Sequence, residues 1–325
     1  MGYAGLMRWA MAAAALALAG TLAGCAAQPR YHINDVTEAQ ALSDHGFALF
    51  ETGDYAGAKD ALDAVIAYGT VDDKDYTRRA AVFGALKDYD RALADNDKAL
   101  ALDPNAWRTH NQRAMFHQRL AQYDAAIADL DVAYRAAPTQ LDLLRRRAYL
   151  KVVAGRFRDA IEDYDMLADT GAQRGAGILG RGVSLYLDGH WREAAGIFAG
   201  IVQKDPGDGL TAYWLGKASL RAGLPIDFAH FGVHDSKDPS WIMAEALLTA
   251  GTIDEATTKI APLEIRGTGA CEIQLFYGVW RVLRAGGAGG TAAFQTAEKR
   301  CPADSIEASE ARVELGRLFA ATAGN

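Results

Sequence analysis

The amino-acid sequence predicts an all-α chain built as a row of helical hairpins of one design, and three recurring columns predict it. Small residues return every 34 positions, without a gap, at Gly46, Ala80, Ala114, Ala148 and Gly182. Alanine keeps the same interval at Ala58, Ala92, Ala126, Ala160 and Ala194, and an aromatic keeps it at Tyr55, Tyr89, Tyr123, Phe157 and Trp191. A period of this length marks one supersecondary unit that cannot bury its apolar face alone, so its neighbours must stack on it. Small side chains let two helices approach closely and the aromatic fills the space between them. Pro104, Pro138 and Pro206 then stop the second helix of their units, and Gly53, Gly155 and Gly189 stand at the turns inside the hairpins.

The elements follow in chain order. Arg8 is the only charged side chain ahead of residue 30, and Trp9 to Leu22 is an uncharged Ala/Leu stretch that leads into Leu22-Ala23-Gly24-Cys25. This is the layout of a signal segment. The four residues resemble the lipobox of bacterial lipoproteins. That resemblance implies cleavage before Cys25, acylation of its thiol and of the new amino group, and, with Ala26 where inner-membrane retention typically shows Asp, an outer-membrane lipoprotein of a Gram-negative bacterium facing the periplasm. An uncleaved membrane helix is the alternative, since Trp9 to Gln28 runs uncharged for twenty residues. Its Ala and Gly content makes it weak on insertion scales. Residues 1–24 are therefore expected to be signal and 25–38 a lipidated tether that reaches about 45 Å when extended.

Five regular units are expected over residues 39–208. Tyr89-Asp90-Arg91-Ala92 and Ala99-Leu100-Ala101-Leu102-Asp103-Pro104 resemble the tetratricopeptide repeat (TPR) almost letter for letter. The resemblance implies a TPR helical-hairpin solenoid, a right-handed superhelix of about six to eight units plus a C-terminal capping helix. Residues 209–270 read as divergent units: Gly209 opens a sixth, Leu224 to Ser240 is an insert with Pro225 and Pro239, and Trp241 to Ile265 is degenerate, with Gly251, Ile253 and Ala256 in the turn, aromatic and alanine columns. Residues 271–325 hold the last unit, with Gly278 in the small column and Pro302 as its stop, then a closing helix over 305–320. Glu307, Glu310, Arg312 and Arg317 are expected to give that helix a polar outer face.

Cys271 and Cys301 are the first and thirty-first residues of one hairpin. Antiparallel helices bring such ends together, and an oxidising compartment permits a disulfide; two buried free thiols are the alternative.

The chain of 325 residues carries 41 acidic against 34 basic residues, a net charge of -7 that gives no footprint for nucleic acid. No enzyme signature is present, and no cofactor is expected. Gly216-Lys217-Ala218-Ser219 looks like the end of a phosphate loop but lies within a helix and lacks the leading glycine. His230 and His234, near Asp227, Asp235 and Asp238, have helical spacing but do not make a complete metal site. His110 and His117 fall on the packing face and read as core or half-buried residues.

The TPR resemblance also implies a binding surface, lined by the second, fifth, sixth, ninth, twelfth and thirteenth places of each first helix. In units two to four these places hold Lys74, Arg78, Arg108, Arg119, Arg145 and Arg146 against the single acid Asp142, with Asn111, Gln112, Gln118 and Tyr149 among them. Units five and six bring Leu179, Val183, Tyr186, Leu187, Tyr213, Trp214 and Leu220. One reading is a groove that holds an acidic segment or C-terminal carboxylate at one end and an apolar anchor at the other. The other is a solvated arginine face with aromatics packed between hairpins. The carboxylate clamp of chaperone-binding TPRs is not matched, because Thr77 and Ala81 occupy two of its places.

A lipobox followed by TPR hairpins and a closing helix resembles the NlpI-type TPR lipoproteins, most closely at Phe276-Tyr277-Gly278, Ile306-Glu307 and Glu314-Leu315. The resemblance implies a non-catalytic adaptor, a possible homodimer, that brings peptidoglycan hydrolases to one another or to a protease. Its partners would be proteins or peptides, and its membrane contact the lipid. A structural subunit of an outer-membrane assembly or polysaccharide-export machine is the alternative. A metal-assisted hydrolase using His230 and His234 is the third reading.

Overall fold

A computed structural model describes residues 31–69, 72–225, 238–261, 269–285 and 289–323. These residues form sixteen α-helices and no strand. Cys25, His230 and His234 lie outside the described residues, as do the signal segment and most of the insert. Two compact units divide at Leu102/Asp103. The first holds α1 (Val36–Glu51), α2 (Tyr55–Tyr68), α3 (Asp73–Ala85) and α4 (Tyr89–Leu102), paired α1 with α2 and α3 with α4. The second opens with the hairpins α5 (Trp107–Arg119) with α6 (Tyr123–Ala136), α7 (Leu141–Val153) with α8 (Phe157–Asp169) and α9 (Arg174–Asp188) with α10 (Trp191–Lys204). It continues with α11 (Gly209–Ala222), α12 (Pro239–Thr249), α13 (Ile253–Ile260), α14 (Gly269–Arg284), α15 (Gly290–Arg300) and α16 (Ile306–Ala323).

The repeat columns explain why the hairpins close. Every alanine of the two columns is fully buried, from Ala58 to Ala194. A Cβ added at Gly182 would stand 2.7 Å from the Phe198 ring, and one at Gly46 3.0 Å from Leu62, so any larger residue would push the paired helices apart. The aromatic column supplies the first residue of α2, α4, α6, α8 and α10, each half-buried at the start of a second helix. Gly189 ends α9 at φ 94°, the left-handed turn that a side chain resists.

Arginine forms a further column at Arg79, Arg113, Arg147 and Arg181, and within each unit it ties one hairpin to the next through Arg79 and Arg147. In the first unit Arg79 on α3 grips Asp95 of its partner α4 with two hydrogen bonds, at 2.7 and 2.8 Å, and reaches Asp63 of the preceding α2 at 2.6 Å. In the second, Arg147 on α7 repeats the pattern with Asp163 on α8, at 2.9 and 2.7 Å, and with Asp131 on α6, at 2.6 Å. Arg113 holds Asp129 at 2.9 and 2.6 Å. Asp95, Asp129 and Asp163 are buried, so these forked bonds satisfy carboxylates that water does not reach.

The later units depart from the regular design at defined places. Pro239 is the first residue of α12, where its missing N–H costs nothing, so the insert ends two residues earlier than expected and α12 packs on α11 as its hairpin partner. Gly251 sits in the turn before α13, which Ile253 opens and Ala256 anchors. A disulfide joins Cys271 on α14 to Cys301 at the end of α15, with Cα atoms 5.0 Å apart.

The closing helix corrects one expectation. Glu310 and Glu314 are fully buried, and Arg312 and Arg317 donate to backbone carbonyls of Val153, Tyr186 and Leu187. The charged side of α16 faces into the second unit because that unit offers it cations and the carbonyls at the ends of α7 and α9.

Closing a loop of this length lowers the entropy of the unfolded chain, worth about 3.5 kcal/mol. Cys271→Ala/Cys301→Ala is expected to lose that much in urea unfolding under oxidising conditions and to match the reduced parent chain in dithiothreitol. Equal curves under oxidising conditions would show that the bridge adds nothing.

Candidate protein-binding face

The face in question is lined by the first helix of each hairpin, and the two units are taken in turn. In the first unit Lys74 is exposed near the start of α3. Arg78 is engaged: its guanidinium donates to Ser43 Oγ at 2.6 Å, pairs with Asp44 at 2.8 Å and lies 5.4 Å from the centre of the Phe47 ring. Ser43 in turn donates to the buried Asp75.

In the second unit the face has an open stretch and a covered one. Arg108, Arg119 and Arg145 are exposed. Arg108 lies over the Trp107 ring at 4.5 Å, and Arg145 pairs with the exposed Asp142 one turn before it at 3.1 Å, holding that carboxyl below its usual range together with Gln173. Arg146 is half-buried and donates to Asn111; burial and the adjacent Arg145 pull its pKa down. Gln112 is half-buried beside them. The open stretch therefore presents arginines that solvent still reaches, beside amide side chains.

The covered stretch begins at Asp304. Gln118 donates to its carboxylate at 3.0 Å and the Tyr149 hydroxyl to its carbonyl at 2.6 Å. Burial and the Asp304 charge push the Tyr149 pKa up to about 12, so the phenol stays a donor. Ser305 caps α16 by accepting from the Ala308 amide at 3.1 Å. The helix then crosses α7, where Ser309 donates to the Val152 carbonyl at 3.0 Å, and reaches α9, where Arg317 bonds the carbonyl of Leu187 at 2.8 Å.

At α11 the contact is ionic and buried. Lys217 Nζ donates to both Glu310 oxygens, at 2.8 and 3.0 Å, and Arg221 pairs with Glu314, which Arg317 also contacts at 2.7 Å. Lys217 is 1% exposed, its ammonium 3.3 Å from the centre of the Trp214 ring, 4.6 Å from that of Tyr213 and 5.4 Å from that of Tyr186. Burial pulls the lysine pKa down and pushes that of Glu310 up; each charge opposes the other's shift. Tyr186, Tyr213 and Trp214 are therefore not an open apolar anchor but the floor beneath α16, built around a cation.

Sequence reasoning missed two residues here. Lys217 and Arg221 occupy the ninth and thirteenth places of the sixth unit's first helix, among positions read as apolar. The signal was legible: two cations four apart, and Glu310 and Glu314 four apart, the spacing that stacks side chains on one helix face. The phosphate-loop look-alike at Gly216-Lys217 is the middle of α11. His110 is buried between Asp129, at 2.9 Å, and the Pro104 carbonyl, at 3.0 Å, and His117 meets Gln122 at 2.6 Å. Among the described residues no group of three or more His, Cys, Asp or Glu is arranged to hold a metal, and no helix is long and apolar enough to cross a membrane.

No protein-family model matches the sequence, and no curated protein matches it. Solved structures do match. A tetratricopeptide repeat protein from Parabacteroides merdae superposes with a TM-score of 0.56 at 14% identity, over 85% of this chain and 98% of that one. The chain has the TPR fold. The C-terminal part of a TPR repeat-containing protein from Cytophaga hutchinsonii gives a TM-score of 0.49 at 14% identity, over 82% of this chain and 98% of that one. PilF of Pseudomonas aeruginosa gives 0.47 at 15%, over 69% and 97%. The TPR hairpins thus supply the framework, while the seating of α16 follows from this chain's own charges.

Removing one member of a buried ion pair strands the other, at a cost of about 3–5 kcal/mol, whereas replacing both is nearly neutral. Lys217→Met alone is expected to destabilise the chain by that amount in urea unfolding. Lys217→Met with Glu310→Leu is expected to recover most of it. Equal loss in both variants would show that packing volume, not charge, sets the cost.

Proposed function

We propose that this protein is a non-catalytic, lipid-anchored adaptor that holds partner proteins on the first-helix face of its second unit. The observation that carries the reading is the division of that face. Arg108, Arg119 and Arg145 stay exposed at one stretch, while the adjoining stretch receives a helix through its acidic side chains. A face with this chemistry binds acidic helical or extended segments, and stacked TPR hairpins act by presenting such surfaces. Exposed arginines recognise carboxylates in a forked geometry that lysine cannot copy.

The lipobox-like segment supports attachment through Cys25 to the outer membrane, with the folded units in the periplasm on a polar tether. Several acyl chains at one residue would give stable anchoring. In that compartment the fitting partners are enzymes of envelope maintenance, peptidoglycan hydrolases or a protease, brought together without chemistry by the adaptor itself. The disulfide between Cys271 and Cys301 suits an oxidising location.

The test is affinity capture from cell-envelope extract, with residues 26–325 as bait beside Arg108→Glu/Arg119→Glu/Arg145→Glu. All three side chains are exposed, so the variant should keep the parent's circular dichroism. Hydrolases or a protease held by the parent and lost from the variant are the expected result. An unchanged catch would remove the arginine stretch from the proposal, and a catch made only of membrane-assembly subunits would point to a structural role.

A further inference from the structure

We infer that the cavity between α11, α12, α14 and α16 is a seat for a primary ammonium group, the end of a lysine side chain on a bound protein. The inference stands apart from the adaptor reading, which concerns anions on the arginine stretch. The cavity holds about 30 Å³ and is lined by Tyr213, Trp214 and Lys217 of α11, Glu272 of α14, and Glu307 and Glu310 of α16, with Leu210, Ser240, Met243 and Leu275 completing the wall.

The charges do not balance. Lys217 is fully engaged with Glu310 through both carboxylate oxygens. Glu272 and Glu307 remain, both half-buried and with no hydrogen-bond or ion partner among the described residues. Burial first, and then the Glu307 charge, push the Glu272 pKa up, and Lys217, already bonded to Glu310, opposes that shift only in part, so the carboxylates outnumber the one cation in the site. Tyr213 gives the second, independent observation. It is 5% exposed, its hydroxyl is buried without a hydrogen-bond partner, and it lines the cavity. A buried phenol oxygen left unsatisfied is costly and accepts a hydrogen bond from an N–H donor.

Size and chemistry narrow the ligand. A cavity of this volume admits one or two water-sized groups, which fits an ammonium on an aliphatic stem and not a planar guanidinium. The rings of Tyr213 and Trp214 already accept one ammonium, that of Lys217, and Leu210 and Met243 suit the methylene stem. The metal alternative lacks its ligands, since no set of three or more metal-binding side chains is arranged to hold an ion among the described residues.

The test is calorimetric titration of residues 26–325 with Nα-acetyl-lysine N-methylamide, with the norleucine and arginine analogues as controls. Saturable binding of the lysine compound, at least about tenfold tighter than either control, is expected, in line with hydrogen bonds to charged groups. Glu272→Gln and Glu307→Gln should each weaken it by about tenfold or more while keeping the parent's circular dichroism, because each keeps the side chain's size and removes only its charge. Equal affinity for the norleucine analogue, no saturable binding of the lysine compound, or undiminished binding in both glutamine variants would overturn the assignment. A water-filled cavity would give the second of these results.

Discussion

Two ion pairs, Lys217 with Glu310 and Arg221 with Glu314, fix the second unit's architecture because both span 93 residues and both are shielded from water, the first fully and the second in part. Equal separations on two helices mean that α16 runs alongside α11 in the same direction, in one register. A slip by a single residue would rotate both glutamates away from their cations and leave charges without water or partner. Buried pairs of this kind contribute little net stability against an apolar replacement; their effect is to select one arrangement over its competitors. The seat of the closing helix follows from that selection, and with it the burial of Tyr186, Tyr213 and Trp214.

The repeat columns and the arginine column show the same logic at a shorter interval. Gly182 and the buried alanines set how closely helices approach, which no hydrogen bond dictates. Arg79 then links α4 to α2 and Arg147 links α8 to α6, so these neighbouring hairpins are held by geometry as well as by apolar contact. Both devices repeat because each unit must bury one face on the next.

Much of the fold was legible because it is periodic. Small, alanine and aromatic columns at an interval of 34 locate α1 to α10, and the cysteine pair marks the last hairpin. The face was less legible because its decisive contacts are not periodic. Asp304 and Glu310 lie 186 residues from Gln118 and 93 from Lys217, and repeat spacing carries no information about such pairs. The polar outer face expected for α16 failed for a related reason. Charges on a terminal helix normally face water, and here they face inward because buried cations await them. Arg78, Arg145 and Arg146 show the limit of counting a stripe: it is basic in sequence, yet Asp44, Asp142 and Asn111 engage three of its members locally.

The seating of α16 on the first-helix face is the claim from which both the covered aromatic floor and the open arginine stretch follow. Amide hydrogen exchange on the intact chain measures it most directly, by comparing Ser309 to Leu315 in α16 with Tyr213 to Leu220 in α11. Protection in α16 as deep as that in α11 is the predicted result, because the two open together when buried pairs join them. Rapid exchange throughout α16 beside a protected α11 would contradict it, leaving the aromatic floor open to solvent and to partners.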